Sequence, residues 1–273
     1  MNSIPPEPAH KFAIFNWRQA IPTFVTLLAM LAGFLSILVT IEGMTNGNSQ
    51  LYRLAAQLIM LSMILDGIDG NVARKLKGES EFGAELDTYV DMTAFGIAPA
   101  VLIFAVSTQM HNPTLRILLP SAVALSGVVR LARFKVKDPL RGQGGYAGLP
   151  ITANAGWVAL FVFITQTPPL DKFNLNSGYV SILFLIGIFS FVILQISNLR
   201  YPKPTKKMAI FIPCVVLVFL FVFLGKNMEK PAMYIAILLL LMGLGYITLG
   251  PLFVKTMDYH KNKVRNNLND GSE

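Results

Sequence analysis

Asp66, Asp69, Asp87 and Asp91 fall within 26 residues of one another, between segments that are almost purely apolar. Burying one unpartnered carboxylate costs several kcal/mol, so four together need a common purpose. Fully ionised they carry a charge of −4, and Arg74 is the one cation near them inside the motif. Their mutual repulsion would protonate some of them unless stronger cations bind. Two divalent ions would balance the charge. Oxygen ligands without His or Cys favour hard cations, Mg²⁺ or Mn²⁺. Ions of that kind suit phosphoryl chemistry, in which they neutralise a pyrophosphate and stabilise a leaving oxygen. A carboxylate pathway for protons or sodium fits the same four charges and stays open at this point.

The spacing says which elements must carry them. Asp66, Asp69, Gly70 and Ala73 fall at i, i+3, i+4 and i+7, one face of a helix. The stretch KLKGES, with Gly78, is polar enough to reverse the chain. Gly83, Asp87 and Asp91 then fall at i, i+4 and i+8, one face of a second helix. Two adjacent antiparallel helices therefore aim two carboxylates each into the gap between them. Gly70, Ala73 and Gly83 on those faces leave room for a nucleotide to lie against bare backbone; close helix packing is the alternative use of such residues.

Those helices lie in a membrane. Of the 273 residues 53% are hydrophobic and 14% charged, against about 25% charged in ordinary globular chains. Eight apolar runs approach the roughly 20 residues that span a bilayer: Ile21–Ile41, Leu54–Lys75, Leu86–Val106, Leu115–Phe134, Ile151–Ile164, Tyr179–Ile196, Met208–Leu224 and Ala232–Val254. The expected fold is an all-α polytopic membrane protein of about eight transmembrane helices, with no strand or hairpin signal. The fifth run is short, and its start at GLPITANAG reads as a possible break in the helix. With the N-terminus in the cytoplasm, eighteen of the 23 basic residues fall on the inner side. Both termini are therefore expected to be cytoplasmic. Asp66, about 20 Å along its helix from Arg53, then lies in the inner third of the core and opens to the cytoplasm.

The remaining chemistry is sparse. Cys214 is alone in an apolar run, and His10, His111 and His260 have no ligand spacing, so Cys and His metal sites are not expected. The net charge of +8 reads as topology and contact with anionic lipid; a nucleic-acid surface would need its basic residues on one soluble face. Residues 1–20 form a cytoplasmic segment that reads as an interfacial helix, with Phe12, Phe15 and Trp17 beside Lys11 and Arg18; a partly ordered tail is the alternative. Residues 21–207 form a six-helix core, 208–254 two further spans and 255–273 a cytoplasmic tail. Gly142, Gly144 and Gly145 form a loop with no strand before it, a weak basis for a phosphate cradle.

The run Asp66-x2-Asp69-Gly70-x2-Ala73-Arg74-x8-Gly83-x3-Asp87-x3-Asp91 resembles the full signature of the CDP-alcohol phosphotransferases. The resemblance implies a membrane transferase that moves a phosphatidyl group from CDP-diacylglycerol to an alcohol and releases CMP. It implies two divalent metals, with Asp66, Asp69 and Asp87 holding metals and nucleotide diphosphate. Asp91 would complete the metal set and activate the acceptor hydroxyl. Asp66, Gly70, Ala73, Arg74, Gly83 and Asp87 would surround the CDP-diacylglycerol, and a homodimer in the cell membrane is the implied assembly.

The acceptor side is similar to the serine-using branch of that family in bacteria and archaea. RLARFKV (Arg130–Val136), YAGLPITANAG (Tyr146–Gly156) and NLRYPKPTKK (Asn198–Lys207) carry that likeness, which spans roughly Ile21 to Lys207. Arg130 and Arg133 are three apart at a helix end and can share a face. A guanidinium holds a carboxylate such as that of L-serine in bidentate fashion. Lipid headgroup contact is the alternative for these basic residues and the preferred one for Lys135 and Lys137. Glycerol 3-phosphate, choline and inositol phosphate are the other acceptors to weigh. One departure stands out: where those enzymes open with Pro-Asn-x-x-Thr, this chain reads Pro22-Thr23-Phe24-Val25-Thr26.

Overall fold

The computed structural model describes residues 16–107, 112–136, 145–168, 170, 175, 178–202 and 229–270. It is predominantly helical. In chain order the helices are α1 (Trp17–Asn46), α2 (Ser49–Leu76), α3 (Glu81–Val90), a π-helical turn (Asp91–Ile97), α4 (Ala98–Val106), α5 (Pro113–Val136), α6 (Ile151–Thr165), α7 (Gly178–Ile196) and α8 (Glu229–Asp270). Among the described residues, six segments are long and apolar enough to cross a membrane: α1, α2, α3 through α4, α5, α7 and the first 28 residues of α8. The expected span Met208–Leu224 lies outside the described residues.

α6 differs from the expected pattern. Its 15 residues are fewer than the roughly 20 that span a bilayer, yet it begins cleanly at Ile151 and runs unbroken. Twelve of those residues are buried, so other helices surround it and bilayer thickness does not set its length. It packs against α2, α8 and the π-turn. Trp157 stacks on Phe184 of α7 with ring centroids 5.9 Å apart.

Among the described residues, α1 and α2 form the most extensive helix pair. Lipid offers no hydrophobic drive for that pairing, so small residues and hydroxyls do the work. Ala29, Ala32, Ala55 and Ala56 let the backbones approach. Ser36 donates to the Ala55 carbonyl at 2.9 Å, and Ser62 to the Ala29 carbonyl at 2.8 Å.

Two short strands were not expected from the sequence. β1 (Gly145–Ala147) and β2 (Arg200–Pro202) pair antiparallel, Tyr146 opposite Tyr201. Three residues are too few for alternation to register, and their centres lie 55 positions apart in the chain. The ribbon leads directly into the Gly148-Leu149-Pro150 turn.

Candidate active site

The reversal between α2 and α3 is built tightly. Lys77 closes α2 in the left-handed conformation, and the Gly78 amide donates back to Ala73 at 2.9 Å. Gly78 is required by proximity, because a Cβ there would fall on the Arg18 carbonyl. Ser80 then caps α3, its hydroxyl accepting the Gly83 amide at 3.0 Å. The two acidic faces are thereby set opposite each other. One carboxylate oxygen each from Asp66, Asp69 and Asp87 lie within 4.8 Å of one another. Asp69 is 5% exposed, and its Oδ2 is buried with no hydrogen-bond partner.

Asp91 stands outside that trio, where the helix widens. The π-turn ends with the Ala98 amide donating to Thr93, five residues back. Pro99 explains it: the residue has no N–H to donate, and its ring crowds the carbonyl four residues earlier.

The aspartates lie where two cavities meet. The smaller, about 310 Å³, is lined by Asp69, Gly70, Ala73, Arg74, Gly83 and Asp87, together with Pro22, Thr23 and Thr26 of α1. Arg74 lies over Gly70, held by a 2.9 Å bond from its Nη2 to Asn71 Oδ1. The larger, about 450 Å³, begins at Asp66, Asp87, Asp91 and Arg130. It then continues between apolar side chains of α2, α5, α6 and α8. Asp87 borders both.

The two arginines part company. Arg130 is 8% exposed and lines the larger cavity with Asp91. Arg133 turns to the backbone. Its Nη1 donates to the Ile196 carbonyl at 2.8 Å, and its Nη2 to Ala147 at 2.9 Å and Ser197 at 3.0 Å. Both terminal nitrogens are thus spent on the end of α7 and on β1, which leaves no fork for a bound carboxylate. Gly148 (φ +79°) sits against this guanidinium, and a Cβ there would meet both Nη2 and the Gln195 carbonyl. Lys135, expected at lipid headgroups, forms an ion pair with Glu85 of α3.

Sequence reasoning missed several lining residues. Pro22, Thr23 and Thr26 were visible only as a departure from a family pattern, yet all three reach the smaller cavity. Leu239, Gly243 and Tyr246 of α8 reach the larger one and carry no motif at all.

A charged, glycine-lined pocket joined to an apolar cavity through carboxylates is what a CDP-lipid transferase requires, and comparison with known proteins agrees. Residues 19–192 match the CDP-alcohol phosphatidyltransferase family model. The chain is 29% identical over 222 residues to the CDP-diacylglycerol–serine O-phosphatidyltransferase of Helicobacter pylori, covering 80% of this chain and 87% of that protein. It is 36% identical over 194 residues to the enzyme of the same name from Methanocaldococcus jannaschii, covering 70% and 78%. The archaetidylserine synthase of Methanothermobacter thermautotrophicus is 31% identical over 188 residues, covering 67% and 70%. With the matched segment enclosing all four aspartates and running from α1 into α7, this chain belongs to the CDP-alcohol phosphatidyltransferase family.

Proposed function

We propose that the protein transfers the phosphatidyl group of CDP-diacylglycerol to the hydroxyl of L-serine, forming phosphatidylserine and releasing CMP. The observation that carries this reading is the carboxylate cluster at the junction of a nucleotide-sized pocket and an apolar cavity. The names of the relatives favour serine among the possible acceptors.

The donor set fits hard divalent cations. Three carboxylates converge without His or Cys, and the unpartnered Asp69 Oδ2 is an anionic ligand atom in waiting. Asp66, Asp69, Asp87 and Asp91 would hold two such ions, Mg²⁺ or Mn²⁺. Their contribution when bound is neutralisation of the pyrophosphate and of the charge on the departing CMP.

The chain's own residues do the rest. Gly70, Ala73 and Gly83 give the nucleotide access to backbone, and Arg74 supplies a cation beside its phosphates. The apolar walls of the larger cavity take the diacylglycerol and exclude water from the phosphorus. Arg130 holds the serine carboxylate next to Asp91. Asp91 accepts the hydroxyl proton as the serine oxygen attacks the lipid-side phosphorus. The phosphorus–oxygen bond to CMP breaks, and CMP leaves with the bonding pair. Arg133 acts at a distance, by fixing the Gly148–Pro150 turn against α7.

The surrounding topology follows the same reading: eight spans, both termini and the active site on the cytoplasmic side of the cell membrane, and a homodimer. The test is CMP release from CDP-diacylglycerol by purified protein, screened across serine, glycerol 3-phosphate, choline and inositol phosphate. Serine alone should drive release in Mg²⁺ or Mn²⁺, and excess EDTA should abolish it. Turnover with another acceptor would move the assignment within the family, and full activity in EDTA would overturn the metal set.

A further inference from the structure

We propose that α8, which lies beyond the family-matched residues 19–192, is the wall that selects the donor's lipid, and that Gly243 makes the room for it. The inference deepens the reading above and rests on CDP-diacylglycerol being the donor.

α8 is positioned at two points. Arg53 Nη1, near the start of α2, meets Glu229 Oε1 at the start of α8 at 2.9 Å. Farther along, the Tyr246 hydroxyl donates to the Pro202 carbonyl of β2 at 2.9 Å. That strand pairs with β1, which leads into the Gly148–Pro150 turn at the same cavity. The Arg53–Glu229 tie joins the two helices near their starts, so positions along them can be counted from it. Asp66 is 13 residues from Arg53 and Gly243 is 14 from Glu229, about 20 and 21 Å at 1.5 Å per residue. Gly243 thus falls at nearly the same count along α8 as Asp66 does along α2, and both line the one cavity.

The space in front of it is open. Gly243 lines the cavity, and a Cβ built on it would meet nothing within 4 Å. Farther from the carboxylates the walls are Met60, Met63, Leu160 and Leu239, all apolar. The occupant that fits a cavity with carboxylates at one end and hydrocarbon along its length is the glycerol and first methylenes of a CDP-linked diacylglycerol. Serine is too small and too polar to account for the apolar part. Selection would act on the cross-section of the lipid beside its phosphate, since chain ends can run on into the bilayer.

A graded series on the full-length protein tests this. The affinities for CDP and for CDP-dioleoylglycerol are measured by displacement of radiolabelled CDP in Mn²⁺-containing mixed micelles. Gly243→Leu should weaken CDP-dioleoylglycerol by about tenfold or more, with CDP held within about twofold because its pocket lies on α1–α3. Gly243→Ala should fall between Gly243→Leu and wild type. Gly245→Leu is the control: it places the same side chain on the same helix where a Cβ also meets nothing within 4 Å, but off the cavity. It should bind both ligands like wild type. Wild-type lipid affinity in Gly243→Leu would overturn the proposal. So would equal losses in Gly243→Leu and Gly245→Leu, or a matching loss of CDP affinity. If the wild-type protein releases no CMP with serine, the acceptor assignment fails while these two affinities still decide the role of α8.

Discussion

The two cavities that meet at Asp87 are built in different ways. The smaller draws on two short stretches, 22–26 and 69–87, and its walls are one helix pair, a four-residue reversal and the start of α3. The larger gathers residues from Met60 to Ile247, on five helices, the π-turn and the turn before α6. The first is charged and local; the second is apolar and assembled over almost the whole chain. Chemistry that needs fixed charges is written in fixed spacings, whereas room for a lipid needs only apolar surface, which many residues supply equally well. Substitutions should therefore act all-or-none at the carboxylates where the cavities meet and by degrees along the walls.

The largest effect belongs to the carboxylate trio. Asp69→Asn keeps the shape but removes a buried anionic ligand, and turnover should fall by a factor on the order of 10³ or more. The variant should still insert and purify, and CDP affinity should fall with activity. Wild-type CDP binding in Asp69→Asn would detach the smaller cavity from the nucleotide.

Asp91→Asn should separate the cavities. Loss of a general base costs about 10²- to 10⁴-fold in kcat, while CDP affinity should fall far less than in Asp69→Asn, because the trio of Asp66, Asp69 and Asp87 remains. Unchanged turnover would remove Asp91 from the proton-accepting role.

The arginines should differ in kind. Arg130→Lys keeps the charge but loses the planar fork. Losing a charge-assisted bond of about 1.5–3 kcal/mol should raise the serine KM about ten- to a hundredfold and leave the donor KM alone. Arg133→Lys loses the fork that holds three or more carbonyls, so it should lower thermal stability and turnover together with no preference for serine. A serine-specific KM rise in Arg133→Lys would restore it as the acceptor ligand.

The smallest effect is expected at Thr26, whose hydroxyl donates to the Pro22 carbonyl at 3.0 Å within α1 and which lines the smaller cavity. Thr26→Val should weaken CDP by a few-fold at most, since the helix keeps its own backbone ladder. A loss as large as that of Asp69→Asn would make this wall as decisive as the carboxylates.

The same contrast explains what could be read from sequence. Six described helices agree with the expected runs to within a few residues, because an apolar stretch of spanning length has few other solutions. The facing of Asp66 and Asp69 against Asp87 follows from helical spacing and a glycine-bearing reversal. The split role of the arginines could not be read, since an i, i+3 pair shares a face only until one member finds a helix end to cap. Arg133 found the last carbonyls of α7, 62 to 64 residues away. Nor could spacing reveal that Gly243 faces a cavity: it lies in an apolar helix whose residues look alike until the fold says which way each points. The π-turn at Asp91 was hidden for a related reason, because its cause, Pro99, stands eight residues downstream.

The most direct test of the account follows one oxygen atom. L-serine carrying ¹⁸O in its hydroxyl is supplied with CDP-diacylglycerol and Mn²⁺, and the lipid product is weighed by mass spectrometry as CMP is counted. Attack by the serine oxygen on the lipid-side phosphorus predicts phosphatidylserine that retains the label, one molecule for each CMP released. Phosphatidic acid as the sole lipid product, or CMP released at the same rate without serine, would contradict it.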